Sequence, residues 1–453
     1  MKYNKYTKAL LKVIPGGSHT YSRGADQYPI NAPPILSRGK GAYIFDQNNK
    51  KYLDYGMALR AVNIGYSEKK INEAAITQIK NGNNLTRPSL VELDAANLLT
   101  KTIKSVDMVK FTKNGSTAVT AAVKLARAFN RKNIVVRCLD HPFFSFDDWF
   151  IGNTVVDRGV PKDVSKMTIN FRYNDIDGLK KLVKKYKNKI SCLVLEPAAT
   201  ECPKINNLRG CCGQSKCTRN YKSNKHFLKD VEKVCKENNI VFILDETITG
   251  FRWHLQGAQH LYNLKPDLCI FGKAMANGFS VACVGGKKKI MELGSITQAK
   301  QERVFLLSTT HGAEMSGLGA FIKTLDFIKK HNVIKKNWNY GYELMSKANQ
   351  ISEEMGLKDY FFISGPACSP FYSCLDDNRN ASLEFRTLFL QEMIKNKVFM
   401  PWIAISYSHN NKELNKTLLA LENSLKIYKK ALVDGPKKFI KGPIVKPVFR
   451  KFN

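Results

Sequence analysis

The chain has 453 residues and a mass of 51.2 kDa, with 43% hydrophobic and 24% charged residues. That length holds two to three domains, or one large domain with a smaller partner, and the composition excludes wholesale disorder and a fibrous or low-complexity chain. Lys+Arg number 72 against 38 Asp+Glu, a net charge of +34, but the lysines are scattered (180–189 and 287–289 are typical runs), so solvated helix faces account for most of them and a nucleic-acid role is disfavoured. No stretch approaches the ~20 unbroken apolar residues that span a bilayer, and the apolar part of the first residues is too short for a secretory signal. A soluble, cytoplasmic protein is predicted, with no membrane contact.

In chain order, 40–56 reads as a hairpin turning at Asp46–Asn49. A helix is predicted over 116–131, then a strand over 133–139, a helix over 176–188 and a strand over 190–197. A helix over 226–239, with Phe227, Val231, Val234 and Cys235 on one stripe, leads to strands over 240–246 and 267–273. These strands are nearly unbroken apolar runs, the pattern of a parallel sheet buried on both faces, and their alternation with helices predicts an α/β domain with right-handed crossovers. After about 330 come helices, short β-like pieces and a final helix. The boundaries expected are 1–55 and 331–435 as two parts of one smaller α+β domain, 56–330 as the large α/β domain, and 436–453 as an extended basic tail.

The chemistry gathers at strand ends. Asp245 closes one buried strand and Lys273 the next. In an open α/β sheet both would face the ligand crevice at the carboxyl edge. Lys273, flanked by Phe271, Gly272, Ala274 and Met275, is poorly solvated, so its amine is a candidate for a lowered pKa and Schiff-base chemistry. A carboxylate there can keep a pyridine nitrogen protonated. Read alone, the pair is equally a turn cap and a surface lysine. Gly115-Ser116-Thr117 runs straight into a helix; Ser116 or Thr117 is a good N-cap, and the end of that helix suits a phosphate. Thr309 and Thr310 beside His311 and Gly312 could add hydroxyls, or form only a polar turn.

Taken together, IPGGSHTYSRGADQYP, the 40–56 hairpin, LEPA, LDETITGFR, FGKAMANGF and the Thr-Thr-x-Gly stretch resemble, in order and spacing over about residues 12–430, the class III aminotransferases of pyridoxal-phosphate fold type I. Among these the chain is most similar to glutamate-1-semialdehyde aminomutases and their relatives. The resemblance implies a seven-stranded, mostly parallel sheet, a pyridoxal 5'-phosphate cofactor and a homodimer with shared active sites. It implies that Lys273 carries the cofactor and shuttles the proton, that Asp245 partners the pyridine nitrogen, and that Gly115, Ser116 and Thr117 form the phosphate turn. Thr310, or Thr309, would reach a phosphate across the dimer interface. Arg23 falls where an arginine suits a substrate carboxylate, held bidentately, and Glu196 in LEPA lies near the site.

Departures bear on the substrate. Where many relatives have Tyr-His-Gly over the cofactor ring, this chain has DHPFFSFDDW, with Phe143 or Phe144 at the stacking position and His141 as the competitor. MALRAVNIGY replaces the expected glycine-rich stretch and introduces Arg60, a further substrate-binding candidate. The expected function is therefore amino-group transfer on a small carboxylate-bearing substrate. A sugar-type or other carbonyl substrate is the alternative, and a non-catalytic basic binding protein on the same fold is the reading from another class. Cys202, Cys211, Cys212 and Cys217 crowd an insertion after LEPA; free thiols, a structural metal or redox disulfides all fit that spacing.

Overall fold

The computed structural model describes residues 3–199, 201–204 and 225–453. Among these the strands are β1 (Leu36–Lys40), β2 (Tyr43–Asp46), β3 (Lys51–Asp54), β4 (Met108–Thr112), β5 (Ile134–Cys138), β6 (Thr168–Phe171), β7 (Ile190–Leu195), β8 (Val241–Glu246), β9 (Leu268–Phe271), β10 (Ala282–Gly286), β11 (Phe361–Ser364), β12 (Phe371–Cys374) and β13 (Val398–Phe399). Seven form one sheet in the order β4-β10-β9-β8-β7-β5-β6. Only β10 runs antiparallel, against both β4 and β9. This is the predicted α/β architecture. A second sheet, β1-β2-β3-β13, joins the two chain ends, because β13 pairs in parallel with β3 (Val398 opposite Leu53).

Side chains on a strand alternate between faces, and the central strands use this to fill two cores. Cys192 and Val194 of β7 and Val241 and Ile243 of β8 pack with Ala118, Ala122 and Leu125 of the helix Gly115–Asn130. Leu193, Leu195, Phe242 and Leu244 pack on the other face against Phe227, Leu228 and Val231 of the helix Phe227–Glu237. The same parity decides the strand ends. Glu196 and Asp245 fall on the side of the helix Gly115–Asn130, and Glu246 on the opposite side.

The 40–56 hairpin forms as predicted, and Asp46 organises its turn: its Oδ1 accepts from the N–H groups of Asn48 and Lys50, both at 2.9 Å. Three strands of the large sheet lie outside the predicted elements. β4 carries charged Lys110, β6 is a four-residue edge strand, and β10 ends in two glycines. None has the uninterrupted apolar run that marks a doubly buried strand. No helix among the described residues is long and apolar enough to cross a membrane.

Candidate active site

β7, β8 and β9 are neighbours in parallel register. Leu195 sits opposite Leu244, and Asp245 opposite Ile270. Their carboxyl ends therefore deliver Glu196, Asp245 and Lys273 to one place. Lys273 has φ 45°, in the left-handed region that a lysine seldom adopts. The following turn is held by Asn277, whose Oδ1 accepts from the N–H groups of Asn63 (3.2 Å) and Ile64 (3.0 Å) and whose Nδ2 donates to the Gly65 carbonyl (3.0 Å). Strain of this kind persists where surrounding bonds over-determine the backbone.

Burial dominates the electrostatics. It pushes the Lys273 amine below its usual range; Arg60 and Arg252 add to this, while Glu196 and Asp245 oppose it. Burial pushes Glu196 up, as does neighbouring Asp245, against the pull of Lys273 and Arg60. Asp245 is also raised by burial, although the Thr247 N–H donates to its Oδ1 at 2.9 Å. The result is a low-dielectric cluster of two carboxyls, one amine and two guanidiniums, the setting in which ionisable groups acquire functional pKa values. Glu246 has a different job. Its carboxylate accepts from Thr249 Oγ1 (2.8 Å), Ala258 N–H (2.5 Å), and the Gln259 backbone (2.9 Å) and side-chain (3.1 Å) amides, fixing the loop behind the site.

Arg60 is held in the cluster by an unusual backbone. Met57, Ala58, Leu59 and Arg60 have φ of 40°, 50°, 60° and 66°, one left-handed turn without a glycine. Such residues cost roughly 1–2 kcal/mol each. Specific bonds offset this. The buried Asp54 carboxylate accepts from Gly56 N–H (2.7 Å), Met57 N–H (2.9 Å) and Tyr66 Oη–H (2.6 Å), while Tyr66 Oη accepts from Ala58 N–H (2.7 Å). Arg252, fully buried, donates to the carbonyls of Arg60 (2.8 Å), Val62 (3.2 Å) and Ile405 (2.9 Å). The Arg60 guanidinium lies 5.6 Å from the centre of the Trp402 ring, and its buried Nε has no hydrogen-bond partner. Arg252 lies within LDETITGFR; its late position in the motif was the only sequence signal for it.

The Gly115-Ser116-Thr117 turn begins the helix Gly115–Asn130, but its N-cap is Asn114, not Ser116 or Thr117: Asn114 Oδ1 accepts from Thr117 N–H (2.9 Å) and Thr117 Oγ1 (3.0 Å). The Asn114 carboxamide oxygen reaches the first-turn N–H that a Ser116 or Thr117 cap would have left open. Gly115 lies close to the Asp245 loop, since a Cβ there would come 3.1 Å from Thr247 Oγ1 and Cγ2.

Other candidates fall elsewhere. Phe143 is half exposed and packs edge-on against Phe150 (ring centres 5.7 Å apart); Phe144 is buried against the same ring at 5.8 Å. Of the aromatic residues in this stretch, His141 is the one that bonds to a residue of the cluster. Its Nδ1 accepts from the Glu196 N–H at 3.0 Å, and burial pushes its pKa down to about 3, so the imidazole is neutral with its proton on Nε2. Thr309 and Thr310 are exposed on a loop where the Thr310 carbonyl accepts from Asn84 Nδ2 (3.0 Å) and Glu314 pairs with Lys113. Arg23 is exposed and lines a cavity of about 910 Å³ together with Gly56, Ala58 and Leu59 from the region of the Arg60 turn. Cys202 is buried in the apolar core; Cys211, Cys212 and Cys217 lie outside the described residues.

A buried lysine and a buried aspartate thus lie at the ends of adjacent parallel strands, with the start of the helix Gly115–Asn130 close to the aspartate's loop. A sequence model of aminotransferase class III matches residues 22–202 and 214–359, broken where Cys211 and Cys212 fall. The chain is 29% identical over 454 residues (94% of this chain, 98% of the relative) to a glutamate-1-semialdehyde 2,1-aminomutase of Wigglesworthia glossinidia brevipalpis. It is 28% identical (93% and 96%) to a 3-aminobutyryl-CoA aminotransferase of Cloacimonas acidaminovorans. The structure is similar to the FumI protein of Sphingopyxis sp. MTA144 in its PLP internal aldimine form, with TM-score 0.80 and 22% identity over 96% of this chain and 99% of that one. The chain belongs to the class III aminotransferase family and is a pyridoxal-phosphate-dependent enzyme. Its residues fit that cofactor: a buried amine of lowered pKa, a buried carboxylate, and a helix start whose backbone is left bare at Gly115, where a Cβ would crowd Thr247.

Proposed function

We propose that this enzyme transfers an amino group on a small, carboxylate-bearing amino or carbonyl substrate, with 2,1-aminomutation of glutamate-1-semialdehyde the nearest named activity. The observation that carries the reading is the convergence of Lys273, Asp245, Glu196 and Arg60 in one buried cluster. Pyridoxal phosphate, when bound, supplies an aldehyde that takes up amines reversibly and a ring that accepts electrons from the substrate carbon. Lys273 would attach it, and the amine, its neutral form favoured by burial, would then move a proton from and to the substrate carbon. Asp245 would keep the ring nitrogen protonated, and the neutral imidazole of His141 would flank the ring in place of Phe143. The N–H groups of Gly115 and Ser116 would hold the phosphate, with the helix dipole behind them, since the N–H and hydroxyl of Thr117 are turned to Asn114 Oδ1. Arg60 and Arg23 would receive the substrate carboxylate, with Glu196 setting the charge beside Arg60.

The same reading includes a homodimer that shares its sites. Ile76, Ile79, Leu85, Leu90 and Leu93 are large, apolar and 48–74% exposed, more than isolated surface residues explain. They adjoin the Thr309–Thr310 loop through Asn83 and Asn84, which bond to Glu314 and Thr310. That loop is where a second subunit would receive Thr310.

A half-reaction screen tests the substrate class. The cofactor-loaded enzyme is mixed with glutamate-1-semialdehyde, amino acids, ω-amino acids and amino sugars, and products are read by mass spectrometry. Turnover of carboxylate-bearing compounds is expected. Turnover of amino sugars alone would refute the carboxylate reading.

A further inference from the structure

Beyond the helix Asn411–Asp434 the chain turns at Gly435 and returns across the molecule as an extended arm. The arm is bonded along its length. Gln391, buried on the helix Leu383–Lys395, donates from Nε2 to the Phe439 carbonyl (3.0 Å) and accepts from the Lys441 N–H (2.6 Å). The N–H of buried Val445 donates to Thr387 Oγ1 (3.0 Å). The Lys446 N–H then donates to the Asp26 carbonyl (2.9 Å), and Arg450 pairs with the Asp26 carboxylate (2.6 Å). Phe449 ends the run edge-on against Phe150 (6.3 Å), in the core beneath the helix Gly115–Asn130.

This path supplies part of the wall of a cavity that stays open to one side. Gly442 and Pro443 belong to the wall of the space of about 910 Å³ that Arg23 also lines. Gly442 lies so near Ile30 that a Cβ there would come within 2.9 Å of it. Most of the wall is apolar, with Leu10, Ile14, Ile44 and Trp402 among it; Arg23 supplies the positive charge, and the Asp54 carboxylate that also lines the space is bonded to Gly56, Met57 and Tyr66. The segment bearing Arg23 consists of short 3-10 turns, Tyr21–Arg23 and Ala25–Gln27. Such turns are short and poor in hydrogen-bond geometry, and the segment's own side-chain tie is Tyr28 Oη donating to the Ser22 carbonyl (3.0 Å), so contacts from outside it add to its order.

We propose that the C-terminal arm is a positioning strap of the substrate-recognition pocket. It forms part of the cavity wall and, through Asp26, holds Arg23 over the turn that carries Arg60. The ligand class is a carboxylate on an apolar carbon chain, with the guanidinium taking the charge and the walls taking the chain. This rests on reading Arg23 as the carboxylate-binding residue. Ordering the segment in advance removes part of the entropy cost of binding.

The test uses the cofactor-loaded full-length enzyme, Arg450→Ala, Arg23→Ala and a chain ending at Lys438. Amide hydrogen exchange is followed over residues 21–30, and binding of hexanoate is compared with that of 1-hexanol by calorimetry. Arg450→Ala is expected to speed exchange over 21–30 and weaken hexanoate about tenfold, the order of one charge-assisted bond, with hexanol unchanged. The shortened chain should do the same more strongly; if it fails to fold, Arg450→Ala carries the test alone. Unchanged exchange over 21–30 in Arg450→Ala would overturn the strap. Failure of the wild type to bind hexanoate would overturn the ligand class. Faster exchange with hexanoate affinity unaltered in both Arg450→Ala and Arg23→Ala would uphold the strap's hold on the segment and refute the carboxylate role of Arg23.

Discussion

Replacing Gly115 by alanine adds one methyl group and separates folding from cofactor binding. The new Cβ would lie 3.1 Å from Thr247 Oγ1 and Cγ2, a few tenths of an ångström inside comfortable contact. Alanine in place of glycine gains up to ~1 kcal/mol in a helix interior, and less in this first turn; the tight contact offsets it. Global stability should therefore change by less than about 1 kcal/mol. The methyl projects into the gap between the helix start and the Asp245 loop, where the phosphate needs close backbone approach. Losing one charge-assisted N–H bond costs about 1.5–3 kcal/mol, which is a weakening of roughly 10- to 150-fold. Apoenzyme titrated with pyridoxal phosphate, followed by absorbance, measures this, and a urea melt checks the fold. Thr247→Ser in the Gly115→Ala background removes Cγ2 and should recover part of the affinity. Unchanged cofactor affinity in Gly115→Ala would refute the assignment of the phosphate to this turn. A large loss of stability would refute the strain estimate.

Tyr66→Phe removes the hydroxyl that joins the Asp54 carboxylate to the Ala58 N–H. It leaves a buried donor unpaired and a buried carboxylate one bond short, a cost of about 2–3 kcal/mol, readable as a lower urea midpoint; no change would mean the left-handed turn is held otherwise. A third expectation concerns acid. Burial pushes His409 down to about 3 from an ordinary 6.5, so the unfolded chain binds a proton that the folded chain refuses. The stabilising contribution is complete above pH 6.5 and is lost as pH falls towards 3, at about 1.4 kcal/mol per pH unit. Asp54, raised to about 6 by burial, works in the opposite sense, so the observable is a difference. His409→Asn should flatten the dependence of stability on pH between 6.5 and 4 by that slope, and identical slopes would refute the neutral buried imidazole.

The legible part of this enzyme was the part fixed by local pattern. β5, β7, β8 and β9 are buried on both faces and read as unbroken apolar runs, and the ends of two of them presented Asp245 and Lys273 as a pair, while Glu196 entered through the family resemblance alone. The left-handed turn that carries Arg60 was not legible. Four residues of ordinary type adopt positive φ there because Asp54 and Tyr66, close in sequence, and Arg252 and Trp402, from distant parts of the chain, together bond to the turn and its flanks. His141 and Phe143 are two positions apart, and what separates them, the burial of His141 and its bond from the distant N–H of Glu196, is set by the tertiary fold. The basic C-terminal residues read as an extended tail, but where it docks was not legible, because its partners, Gln391, Thr387, Asp26 and Phe150, lie far away in sequence. The net charge of +34 carries little of the chemistry: Lys273, Arg60 and Arg252 are the cations of the buried cluster.

The most direct test of the central claim is the site of cofactor attachment. The enzyme is incubated with pyridoxal phosphate, reduced with borohydride, digested and mapped by mass spectrometry. The expected result is one equivalent of added cofactor on the peptide containing Lys273, absent from Lys273→Ala. Stoichiometric attachment at another lysine, or none at all, would contradict the assignment.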